Sequence, residues 1–95
     1  MGGPQDGVFH PGHDELHGQT VVVYTSGART YIGRWGEANE QHVAMMGVCS
    51  HEEGVNEGTR DEWVAARKKF GFPIEQPTAL IPRGEVTKVV HLSEA

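Results

Sequence analysis

Three groups of residues in this 95-residue chain are of types that could do chemistry. The first is a run of histidines, His10, His13 and His17, spaced H-x2-H-x3-H. On a helix, His13 and His17 would share a face, as two metal ligands at i and i+4 can. Asp14 and Glu15 could add oxygen donors. Pro11-Gly12 interrupts any helix between His10 and His13. A zinc site needs three or four converging ligands and groups that orient them. His13 and His17 are therefore weak metal candidates, and a solvated, His-rich arm is the simpler reading. No metal and no other cofactor is expected.

The second group is Cys49-Ser50-His51, followed by Glu52 and Glu53. Alternate residues of a strand point to one side, so Cys49 and His51 could share a face. A nucleophile needs its base within hydrogen-bond reach and a third group to orient that base. The sequence offers no such third group and no oxyanion hole. A free cysteine at a strand end is more simply a small buried hydrophobe. There is also no phosphate-cradling glycine loop and no carboxylate pair, so no enzymatic activity is expected.

The third group could meet nucleic acid. Tyr24, Tyr31 and Trp35 could stack on bases, and Arg29, Arg34 and Arg83 could meet phosphates. The competing reading has the aromatics filling a core and the arginines decorating strand edges. The net charge is −5, from 8 Lys and Arg against 13 Asp and Glu, which disfavours clamping nucleic acid with the whole surface. The same field repels an anionic membrane, and no apolar run nears the ~20 residues a spanning helix needs, so no membrane partner is expected. One cysteine forms no intrachain disulfide, and the first residues do not read as a signal peptide. The expected compartment is the cytoplasm.

Residues 1–15 read as a Gly/Pro/His-rich arm that could dock by Val8 and Phe9, and residues 16–95 as one domain. Residues 19–25 (QTVVVYT) form a β-branched, aromatic run of strand length. Val21 and Val23 should share one face, Val22 and Tyr24 the other. A turn at 26–28 leads to a second strand over 29–35, with Gly33 marking a bend or close approach. A polar turn is expected at 36–41 and a third strand over 42–49. Thr59 and Glu62 spell a capping box, which starts a helix at Arg60. That helix places Trp63, Ala66 and Phe70 on one face and stops at Gly71. Arg67, Lys68 and Lys69 could pair with Glu52 and Glu53. Residues 78–81 and 85–92 complete five strands.

The fold expected is mainly β: a small, strongly bent, five-stranded barrel of Sm-like or SH3-like type, with one helix between strands three and four. The stretches 16–23, 29–35 through 43–45, and 81–86 with its Arg83-Gly84 turn resemble the Sm-like family, which includes Hfq and the Sm proteins. That resemblance implies a homo-oligomer, with a ring as one candidate form, closed by pairing the fourth strand of one subunit with the fifth of the next. It also implies RNA contact at Asn39, His42, Arg83 and Gly84. The uridine-binding pattern usually has Asp and Asn around the turn before the third strand. Here His42 stands at the Asn position and no Asp is present.

Two function classes follow. The first is a non-enzymatic, self-assembling binding module, with RNA as a candidate ligand. The second is an accessory or scaffold domain that docks on a partner protein through Trp63 and Phe70 of the helix, or through Val8 and Phe9 of the arm.

Overall fold

The computed structural model describes residues 16–95. The arm over 1–15, with Val8, Phe9, His10 and His13, lies outside the described residues. Strands β1 (Thr20–Thr25), β2 (Arg29–Ala38) and β3 (His42–Glu52) form an antiparallel meander. Helix α1 (Arg60–Phe70) follows, then β4 (Gln76–Pro82), a helical turn over Arg83–Glu85, and β5 (Val86–His91).

The helix forms where its local signals place it. The Thr59 hydroxyl accepts from the Glu62 amide at 3.2 Å, and the Glu62 carboxylate accepts from the Thr59 amide at 2.9 Å. At the far end Gly71 takes φ +87, which an L side chain rarely adopts, and its amide donates to the Arg67 carbonyl. The buried face differs from the one expected. Val64 is buried and Trp63 half-buried, while Phe70 is 73% exposed. Phe70, the last residue of the helix, faces solvent, and Phe72, beyond the Gly71 stop, packs against the outer cluster instead.

The strand order is β4-β3-β2-β1-β5, every neighbour antiparallel. Five hydrogen-bonded strands therefore lie in one sheet that is not closed into a barrel, because β4 and β5 do not pair. The sheet is nevertheless strongly curled. The Arg83 amide donates to the Gln41 carbonyl, and the Ser26 amide to the Glu85 carbonyl. Gln41 and Ser26 flank opposite ends of β2, which would run ~33 Å if straight. Residues 83–85 plus two hydrogen bonds span roughly 17 Å at most. β2 must bend to satisfy both bonds.

Its bends lie at bulges after Ile32 and after Trp35. A Cβ on Gly36 would come within 2.9 Å of the Ala44 carbonyl oxygen. These bulges also explain two differences from the sequence reading. Gly36-Glu37-Ala38 looks like a turn but continues β2, because pairing with β3 overrides the local preference for irregular backbone. β3 likewise runs on to Glu52.

The inner face buries Val21, Val23, Trp35, Val43, Met45, Val48 and Ile81. The outer face buries Val22, Ile32, Cys49 and Val64. β1 obeys the expected alternation. β5 does not: a register shift beside Thr25 sends Val86 and Val89 to the inner cluster, Val90 and Leu92 to the outer. Helix α1 covers one end of the outer face. The other end, over Ala44, Met46, Thr78 and Leu80, is bare of it.

Candidate docking site

Cross-strand register builds the bare end. Glu37, Ala44 and Leu80 form one row across β2, β3 and β4; Arg34, Met46 and Thr78 form the next. At the bulge in β3, Gly47 takes φ +59, and the Ile74 side chain lies where a Cβ on that glycine would make van der Waals contact, at 3.5 Å. Ile74 and Leu80 are 69% and 68% exposed, far above what apolar residues of a covered face show. Beside Leu80 runs a mainly apolar groove of about 410 Å³, lined by Gly36, Ala44, Met45, Met46, Thr78 and Leu80, with Glu37 and His17 adding polar groups. Gly36 and Ala44 supply its depth, because neither carries side-chain bulk.

The groove opens on the free edge of β4. That strand, QPTALIP, carries no charged residue. Its register with β3 is unshifted from Pro82 to Thr78. Since the Arg83 amide points to β3, alternation turns the amides of Ile81 and Ala79 the same way and those of Leu80 and Thr78 to the open edge. Pro82 has no amide to offer.

The residues expected to contact RNA are brought together. Asn39 Oδ1 accepts from the Gln41 and His42 amides at 2.7 and 2.8 Å, which fixes the β2–β3 turn. Arg83 Nη1 donates to the Asn39 carbonyl at 3.1 Å, and His42 pairs with Pro82. Gly84 lies in the adjoining turn. The oxygen of Asn39 is thereby spent on its own turn rather than presented to a ligand.

The Cys49–His51 pair does not form an activated thiolate. Both residues are buried. Burial pushes the Cys49 thiol up to about 11, the Glu75 carboxylate adding to the rise. His51 Nε2 sits 3.2 Å from the carbonyls of both Glu57 and Gly58, and its ring lies 5.4 Å from Trp63. The His51 ring thus holds the loop before α1, and Cys49 packs with Val22, Ile32 and Val64. The pairing expected between the helix's basic end and the acidic loop is also replaced: Glu52 bonds Arg29 at 2.6 Å, and Glu53 accepts from the Arg60 amide. Trp63, expected to dock a partner, helps cover the outer cluster; Phe70 carries only Lys69 over its ring, at 5.3 Å. Tyr24 is half-buried between strand and helix, with Arg60 and Lys88 over its ring at 5.1 and 5.4 Å. Tyr31 and Trp35 pack on or in the inner cluster. His17 lines the groove alone, and no group of three His, Cys, Asp or Glu side chains suited to a metal occurs among the described residues. Of the groove residues only His17 stood as a candidate ligand from sequence, and Met45-Met46 read as core and interface filler. Their signal is register, which no local motif announces.

No protein-family model matches the chain. No curated protein matches it either. Among solved structures it is similar to a chain of the NatC complex bound to CoA, with 14% identity, 82% of this chain and 80% of that chain covered, and a TM-score of 0.55. A chain of the NatC complex bound to Gag peptide and CoA gives 14% identity, 81% and 86% coverage, and a TM-score of 0.53. At this identity the likeness is one of fold.

Proposed function

We propose that this chain is a non-catalytic accessory domain that docks on a partner protein. The observation that carries the reading is the half-covered outer face, where an apolar groove meets an uncharged, unpaired strand edge. Lone exposed apolar residues need no explanation, but a contiguous set beside open backbone groups does. The fold neighbours point the same way, both being chains of a multi-subunit complex. The buried, protonated Cys49 supports the non-catalytic part. The site differs from the one expected from sequence, where Trp63, Phe70, Val8 and Phe9 stood as docking residues.

The test is native mass spectrometry of the chain purified gently from its own cells, with and without Leu80→Lys. A complex of defined mass with a different protein, lost in the variant, supports docking. A closed multimer of the chain alone would sink it.

A second reading keeps the Sm-like resemblance: a homo-oligomeric ring that binds RNA. Its support is the convergence of Asn39, His42 and Arg83 in one corner, together with the two unpaired edges. Arg83→Ala would then weaken RNA binding and flatten its salt dependence by about one charge. An unchanged affinity rules that reading out.

A further inference from the structure

We propose that Val8 and Phe9 of the N-terminal arm seat in the groove over Gly36 and Ala44, so that this chain covers its own docking site until a partner displaces the arm. The inference rests on the docking reading and names the regulation of that site.

The chain enters the sheet at the rim of the groove. The Gly18 amide donates to the Trp35 carbonyl at 2.8 Å, and the Trp35 amide donates to the Gln19 carbonyl at 2.9 Å. The Gln19 amide donates back to the Leu16 carbonyl at 2.8 Å. These bonds fasten residues 16–19 beside Trp35, next in sequence to the groove residue Gly36. Leu16 packs against the inner cluster, and His17 is itself part of the groove wall. The segment ahead of Leu16 therefore starts beside the bare end of the outer face.

The reach is sufficient. From Phe9 to His17 is a step of eight residues, which extend at most ~28 Å. The row Glu37, Ala44, Leu80 crosses two strand spacings, roughly 10 Å. Every point of the groove thus lies within range of Phe9. So short a tether holds the segment near the groove at an effective concentration on the order of millimolar.

The chemistry matches as well. Within residues 2–15, Val8 and Phe9 are the large apolar side chains. Gly7-Val8-Phe9 carries no charge, and a charge over Gly36 and Ala44 would be desolvated without a partner. Asp6 and His10 flank that segment, and the groove's polar groups, His17 and Glu37, are of the opposite kinds. The arm of a second copy offers the same side chains but lacks the tether, so it competes only when the protein itself nears millimolar concentration.

The experiment uses the whole chain with its methyl groups isotope-labelled. NMR should show contacts from the Phe9 ring to the Ala44 and Met46 methyls, with methyl shifts unchanged on dilution into the micromolar range. Phe9→Asp should erase those contacts and move the same methyls, while those of Val22 and Val64 on the covered end stay in place. A separate peptide of residues 5–12 should then bind the Phe9→Asp chain about tenfold or more tighter than the native chain, because no tethered copy competes with it. Leu80→Lys, altered on the groove rather than the arm, should loosen both the arm and the peptide. Identical groove methyls in the native and Phe9→Asp chains would overturn the proposal, as would contacts from Phe9 to α1 or the inner cluster. Contacts that fade on dilution, in a particle of doubled mass, would make the arm of a second copy the occupant and overturn it too. The docking reading fails separately: a seated arm, with no partner complex on the native or the Phe9→Asp chain, supports the contact and overturns that reading instead.

Discussion

The two outer strands of this sheet are alike in length but opposite in how they meet solvent. β5 has a register shift at its start, sets Lys88 over Tyr24, and runs into a helical turn over Leu92–Glu94. β4 keeps an unshifted register from Thr78 to Pro82, carries no charge and lies beside an apolar groove. The first edge is blunted by the means sheets use against unwanted pairing; the second is fenced by prolines but left open between them. The contrast assigns different work to two edges that topology alone would make equivalent.

The comparison breaks most severely if the curl is removed. Gly36→Val would drive side-chain atoms into the Ala44 carbonyl and should cost about 1–3 kcal/mol in urea unfolding, since the neighbour is backbone and cannot yield. A smaller effect on stability, with a large one on association, comes from exchanging the edges' characters. Leu80→Lys should abolish partner capture with unfolding changed by less than about 0.5 kcal/mol. Lys88→Leu should instead create a second adhesive edge, seen as concentration-dependent mass in sedimentation. If both variants behave alike, the edges are equivalent after all.

The covered and bare ends of the outer face can be separated by pH. Cys49 lies under α1 with its thiol raised from 9 to about 11. The folded state therefore holds a proton that the unfolded state releases first, so stability should fall as pH rises from about 9 to 11. Cys49→Ala should remove that slope, while Leu80→Lys on the bare end should leave it unchanged. The smallest effect expected is from Arg83→Ala. Losing its exposed bond to the Asn39 carbonyl should cost under about 0.5 kcal/mol in urea unfolding and leave partner capture unchanged.

Local chemistry was legible in the sequence, and long-range register was not. Helix α1 matches its expected bounds because Thr59, Glu62 and Gly71 settle its ends within a few residues of chain. The two faces of β1 follow from strict alternation. Gln76 and Pro77 look like loop, yet they extend β4 because β3 is there to pair with them. Bulges after Ile32, after Trp35 and beside Thr25 change which residues face inward, and a bulge depends on two strands rather than one. The same holds for the candidate site. Asn39, His42 and Arg83 were each suspected and are found together. Gly36, Ala44, Thr78 and Leu80 carry no functional type of their own and gain meaning from being neighbours across three strands.

The order of the strands also sets a timetable for synthesis. β1 pairs on one side with β2, which follows it at once, and on the other with β5, which binds Val21 through His91. While the ribosome is still adding the chain between, TVVVYT has one bare side: an apolar, β-branched, uncharged hexapeptide of the kind that stacks on itself. The last strand made is the one that shields the first. A nascent chain stalled or cut short before residue 86 would thus expose its most adhesive segment, and pairing with β5 is what covers it.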